Sequence, residues 1–272
     1  AQDLYDVLLS EYYFDKENVI LLKNAKRSDI TDALDILAEK ITRNDNLLIF
    51  YAGHGWWDKN ANVGYWLPED ARISRKADWL GNSTLCDYLK VINSKHTLLI
   101  TDACFGGSIF KTRSVSLEAP KAIQMLYDLP SRKAMTSGTL TEVPDRSTFI
   151  KYLVERLNSN EEKYISSEQL FSSFRIAVIN NSDVIPQYGE IRNVGDEGGD
   201  FIFINRRLST LTGFAREDWM GRSYFDLVAP EDRVEARSNF NKTLQGKARI
   251  FEVRMICQNG VPLYLSMNIN PI

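Results

Sequence analysis

Two short runs decide most of what this chain can fold into. Leu47-Leu48-Ile49-Phe50-Tyr51 and Thr97-Leu98-Leu99-Ile100-Thr101 are apolar at nearly every position instead of every second one, the pattern of strands covered on both faces. The first leads into Ala52-Gly53-His54-Gly55 and the second into Asp102-Ala103-Cys104-Phe105-Gly106-Gly107. Amphipathic stretches surround them. Leu4, Val7 and Leu8 repeat at helical spacing, and Ile30, Leu34, Leu37 and Ile41 form one face with Ser28 as the expected N-cap. Phe149, Leu153 and Leu157 mark another helix, and Ser166 with Gln169 makes a capping box ahead of Leu170, Phe174 and Val178. Val19-Ile20-Leu21-Leu22 and Lys133-Ala134-Met135-Thr136, the latter ending at Ser137-Gly138, are expected as further strands. Buried strands alternating with such helices predict an α/β fold, a mostly parallel sheet flanked by helices. The segment 111–132, with Pro120 and Pro130, is expected to be a long surface loop with one short helix.

The pattern changes near Asn205. Ile250–Met255 and Pro262–Asn268 alternate in polarity and are joined across Gln258-Asn259-Gly260, which predicts an antiparallel hairpin in a smaller α+β domain. Two domains are therefore expected, 1–204 and 205–272, a division that suits a 272-residue chain.

Charge narrows the partners. The 33 basic and 36 acidic residues are mixed along the chain and leave a net charge of -3, so nothing favours nucleic acid or an anionic membrane as partner. Cys86, Cys104 and Cys257 stand far apart without CxxC spacing, which points to a reducing compartment instead of a disulfide framework. With only His54 and His96 available, no zinc site is expected. The chain has no apolar run of about 18 residues and no signal-like start, so a cytoplasmic location is expected.

Cysteine acts as a nucleophile only as the thiolate, and a neighbouring imidazole can take its proton and later protonate the leaving amine. Cys104 and His54, 50 residues apart, each follow a buried strand on a loop rich in small residues, where the crevice beyond strand ends forms sites in parallel sheets. The bland alternative is a small buried thiol and a loop histidine. His96 lacks this setting and is expected to be an edge histidine.

At these residues the sequence resembles the caspase-like cysteine peptidases, including metacaspases and paracaspases, over about 1–204. The caspase family pattern is a Q-A-C-[RQG]-G loop with the histidine about 50 residues upstream. Pro186-Gln187-Tyr188-Gly189 and Gly198–Phe203 are similar to the closing segment of bacterial members. The resemblance implies that Cys104 is the nucleophile, that His54 is the general acid and base, and that the N–H groups of Gly55 and Cys104 form an oxyanion hole. It also implies that Asp102, where animal caspases carry glutamine, lines the pocket for the residue before the cut bond and favours Arg or Lys. The alternative for Asp102 is a turn cap. Ser137 and Glu142 are further candidates for that pocket, Glu142 being equally a solvated loop residue. Lys111 and Arg113 lie where family members are often cut into two subunits. Calcium dependence stays open, with Asp45, Asp58 and Glu69 scattered.

From Asn205 onward the sequence resembles a PAS sensory domain through Leu211-Thr212-Gly213-Phe214, Gly221-Arg222, Pro230-Glu231-Asp232-Arg233, Glu252-Val253-Arg254 and Asn259-Gly260. Such domains bind small ligands or dimerise. No histidine for haem and no flavin-photoreceptor cysteine motif is present, so no cofactor is expected. Both domains are expected to be incomplete: the first lacks the strand expected before its opening helix, the second stops at Asn270-Pro271-Ile272 inside its sheet, and Phe201–Ile204 would have to serve as last strand of one sheet and first strand of the other. The implied function is a cysteine endopeptidase acting on peptide or protein substrates and linked to a sensor. The alternative is a catalytically idle signalling scaffold.

Overall fold

The computed structural model describes residues 1–61, 63–103, 110–111, 120–138, 147–214, 223–244 and 249–269. They fall into two compact units, Ala1–Asn205 and Arg206–Ile272. The first runs α1 (Gln2–Glu11), α2 (Arg27–Lys40), β1 (Asn46–Ala52), β2 (Gly55–Asp58), β3 (Val63–Trp66), β4 (Leu80–Gly81), α3 (Asn82–Val91), β5 (His96–Asp102) and β6 (Phe110–Lys111). It continues through α4 (Pro120–Asp128), β7 (Ser131–Thr136), α5 (Thr148–Ser159), β8 (Tyr164–Ser166), α6 (Ser167–Asn180), β9 (Gln187–Ile191) and β10 (Ile202–Ile204).

Among the described residues the main sheet has the order β1-β5-β7-β9-β6, with β1, β5 and β7 mutually parallel and β9 antiparallel to both β7 and β6. The apolar runs read as two-faced strands behave accordingly. On one side Leu98, Ile100 and Met135 pack against α1, α5 and α6 through Leu4, Phe149, Leu153, Leu157, Phe174 and Val178. On the other, Leu47, Leu99 and Ala134 pack against α2 and α3 through Leu34, Leu85 and Leu89. The α/β expectation therefore holds as a helix-covered sheet. The capping box at α6 forms as expected: Gln169 N–H donates to Ser166 Oγ at 3.2 Å, and Ser166 N–H to Gln169 Oε1 at 3.1 Å. The 111–132 segment contains one helix, α4, and its 112–119 part lies outside the described residues.

Three expectations need correction. Val19–Leu22 is not a strand: it pairs with no described strand, and Ile20 and Leu22 are 48% and 40% exposed. Apolar, β-branched composition makes a strand only where a neighbour supplies ladder hydrogen bonds. Ser28 is not the N-cap of α2, which begins one residue earlier, at Arg27; its start is held by Asp29, whose Oδ2 accepts from Lys26 N–H at 2.9 Å. His96 is not an edge residue but the fully buried first residue of β5, flanked by β1 and β7. Its ring is satisfied on both sides, Nδ1 with Ser131 Oγ at 2.8 Å and Nε2 with Tyr127 O at 3.0 Å. Burial brings its pKa down to about 4, opposed next by the hydrogen bond to the Tyr127 carbonyl, with the charges of Lys95 and Arg132 adding smaller lowering effects.

The second unit contains α7 (Arg207–Thr212), α8 (Tyr224–Leu227), α9 (Arg233–Leu244) and an antiparallel hairpin, β11 (Arg249–Ile256) with β12 (Pro262–Ile269). The hairpin matches the expected one, and Gly260 at its turn has a positive φ of 80°. Val228, Ala236 and Val253 are its buried centre. Asp232 ties two of the noted motifs together: Arg254 donates from Nε to Oδ2 at 2.9 Å and from Nη2 to Oδ1 at 2.6 Å. These charge-assisted bonds hold the Asp232 carboxyl down at about pKa 2.

Candidate active site

The register of β1 and β5 pairs Ala52 with Asp102, and Gly53 N–H reaches Asp102 O at 3.4 Å just beyond the strands. His54 and Cys104 are therefore each two residues past matched positions on adjacent strands, whose spacing is about 4.8 Å in any sheet. Cys104 itself lies outside the described residues, as do Glu142 and Arg113. His54 is exposed.

What fixes His54 has no local signature in the sequence. Its carbonyl accepts from Leu67 N–H at 3.0 Å, extending the β2–β3 ladder beyond the Gly55–Trp66 pair. It also accepts from the Tyr51 hydroxyl at 2.7 Å, which lies 3.2 Å from Leu67 O as well. Tyr51 is itself immobilised, its ring stacked on Trp66 with centroids 4.2 Å apart and planes 6° from parallel. This clamp explains Gly53: a Cβ there would sit 2.7 Å from the Tyr51 hydroxyl oxygen and 2.9 Å from its Cζ. Gly55 opens β2 directly after the histidine.

Asp102 and Ser137 do come together. Ser137 N–H donates to Thr101 O at 3.0 Å, so the parallel ladder carries Ser137 alongside Asp102 at the carboxyl ends of β5 and β7. Asp102 is 6% exposed, and among the described residues neither its Oδ1 nor the Ser137 Oγ has a hydrogen-bond partner of good geometry. Burial pushes the Asp102 carboxyl above the usual carboxylate range, opposed by the nearby hydroxyls of Ser137 and Ser147. Ser147 is a second residue the sequence did not single out. It caps α5, accepting from Ile150 N–H at 3.2 Å, and so brings a helix start beside the carboxyl. Asp102 and Ser137 are thus a buried acid and a buried hydroxyl side by side at the strand ends.

A separate cleft of about 340 Å³ lies at the opposite end of the sheet, where Lys95 and Arg132 flank the starts of β5 and β7. Arg132 spends its Nη groups there on the carbonyls of Ser94, Lys95 and Ser131. The scattered acids do not gather: Asp58 is paired with Lys76, and Asp45 accepts from Thr42 N–H. Among the described residues no three His, Cys, Asp or Glu side chains form a group able to hold a metal ion.

The family model of the caspase domain matches residues 1–193. This chain belongs to the caspase-domain family. A PAS-fold model matches 201–272, giving a caspase domain followed by a PAS fold. That second match begins inside the strand expected to be contested, and the structure gives the strand to the caspase domain: β10 pairs with β8, Phe203 opposite Ile165. No curated protein matches the chain. Among solved structures it is similar to the protein GSU0716 from Geobacter sulfurreducens, at 15% identity and a TM-score of 0.39, over 60% of this chain and 72% of that one. The caspase domain places the chain in a cysteine peptidase family. Among the described residues no helix is long and apolar enough to cross a membrane.

Proposed function

We propose that this chain is a cysteine endopeptidase that cuts peptide bonds after Arg or Lys, with Cys104 as nucleophile and His54 as general acid and base. The observation that supports this reading is the matched register of Ala52 and Asp102, the adjacent strand ends after which His54 and Cys104 follow in the sequence. The imidazole takes the thiol proton, and the thiolate sulfur bonds to the scissile carbonyl carbon. The N–H groups of Gly55 and Cys104 receive the developing oxyanion, a contribution of roughly 3–4 kcal/mol per donor in acyl transfer. The imidazolium then gives its proton to the leaving amine as the C–N bond breaks. Water, deprotonated by the same imidazole, hydrolyses the thioester and restores the thiol.

Asp102 supplies the specificity. A guanidinium or ammonium of the substrate reaching Asp102 would give its Oδ1, which has no partner among the described residues, a charge-assisted bond and return the carboxyl to its charged form, whereas an aspartate side chain would meet like charge. Glu142 is proposed as a second acid of the pocket. The substrate is a peptide or protein, and nucleic acid and membrane are not partners. The PAS-fold segment adds a sensor whose ligand or second copy adjusts proteolysis, with no resident cofactor; flavin or haem absorbance in the purified chain would contradict that last point. A positional-scanning peptide library tests the specificity: cleavage after Arg and Lys is expected, and cleavage confined to Asp would overturn it.

A further inference from the structure

We propose that the aromatic face formed by Trp56, Tyr65 and Trp79 is the subsite for the residue immediately after the cut bond, and that it takes a large apolar or aromatic side chain. The inference rests on the peptidase reading above and extends it to the leaving-group side.

The alternation of β2 supplies the geometry. Trp57 packs into the core with Trp66, so Trp56 points to the other face, where it is 44% exposed. The bond from Leu67 N–H to His54 O keeps the histidine in strand register, one step beyond Gly55. Residues two apart on a strand share a face at about 6.6–6.8 Å, so His54 and Trp56 stand on the same side. Directly across the ladder from Trp56 is Tyr65. Trp79 lies against both, with ring centroids 5.7 Å from Trp56 and 5.4 Å from Tyr65. Trp79 is 5% exposed and anchored by its Nε1–H to Arg72 O at 2.9 Å. Trp56 thus rests on a fixed ring while much of its indole remains open to solvent.

Chemistry assigns the occupant. The imidazole must deliver its proton to the departing nitrogen, so the groups flanking it face the half of the substrate that leaves. The first side chain of that half is carried beside His54 and over Trp56. Aromatic faces present large apolar area at little conformational cost, and apolar pockets discriminate side chains differing by a methylene or more about 10–200-fold in kcat/KM.

Two quenched fluorescent peptides, both with Arg before the bond and carrying either Leu or Gly after it, test the assignment on the full chain. The unaltered protein is expected to favour Leu by about tenfold or more. Trp56→Ala should bring the ratio close to one, and Trp56→Phe should keep most of it. Because each ratio comes from one preparation, the fraction of folded protein cancels. Cleavage of both peptides without discrimination, or discrimination that survives Trp56→Ala, overturns the subsite and leaves the peptidase reading standing. Failure to cut either peptide overturns both.

Discussion

Ala52 and Asp102 stand opposite each other in the parallel ladder of β1 and β5, and the Gly53 N–H to Asp102 O contact continues that pairing toward the two loops. One residue of this pair leads to the histidine and the other to the cysteine. Asp102 is in addition the buried acid of the proposed specificity pocket, so in the proposed mechanism one strand end would serve both the reacting groups and substrate selection.

Asp102 should cost the unliganded protein stability. Its folded carboxyl is raised by burial, so its contribution is fully present below the ordinary carboxylate range and is lost as pH rises through the raised value. Asp102→Asn is therefore expected to raise the thermal midpoint at pH 7. The same change should lower kcat/KM for Arg substrates by about 10²-fold or more, since truncating one partner of a buried charge pair costs about 2–5 kcal/mol. Paired calorimetry and kinetics check both directions.

Tyr51→Phe keeps the ring stacked on Trp66 and removes the hydroxyl that holds His54 O and Leu67 O. Stability should fall by about 1 kcal/mol, the worth of a typical hydrogen bond, with kcat lowered more than KM is raised. Gly53→Ala acts on the same clamp from the other side, and overpacking of this kind costs about 1–3 kcal/mol. Urea midpoints give the stabilities, and single-substrate kinetics the kcat and KM.

The hub at Asp200 should be the most sensitive polar site of the first unit. Its Oδ1 accepts from the Tyr188 hydroxyl at 2.7 Å, from Phe201 N–H at 2.8 Å and from the Ser167 hydroxyl, and its Oδ2 accepts from Glu168 N–H at 3.0 Å at the start of α6. Burial, reinforced by Asp200, drives the Tyr188 phenol well above its ordinary range. Asp200→Ala leaves several buried donors unpaired at about 1–3 kcal/mol each, and a loss of at least about 3 kcal/mol is expected from denaturant unfolding.

The fold was legible wherever a pattern is local. The apolar runs at 47–51 and 98–100, the four-residue spacing of Phe149, Leu153 and Leu157 in α5 and the Ser166–Gln169 box each carry their own structural consequence. What the sequence could not show depends on partners remote in the chain. Tyr51 reaches Leu67 only because β2 and β3 fold back, Ser147 meets Asp102 only because α5 starts beside β5, and Val19–Leu22 has the composition of a strand without a neighbour to complete it. The burial of His96 is remote in the same way: it comes from β1 and β7 on either side, not from its flanking Ser94 and Lys95.

His96 also sets an acid limit on the fold. With its pKa lowered to about 4 in the folded state, it favours folding fully above about pH 6.5 and loses that contribution as pH falls toward about 4. Unfolding free energies at pH 7 and pH 4.5 should differ by an amount that shrinks by roughly 2–3 kcal/mol in His96→Gln.

The central claim is that His54 and Cys104 act as one unit on neighbouring strand ends. Hydrolysis of an Arg-containing peptide amide by the unaltered chain, by Cys104→Ala and by His54→Ala tests it most directly. Both variants should lose about 10³-fold or more in kcat while remaining folded, because groups that work together fail together. Wild-type turnover in either folded variant would contradict the account.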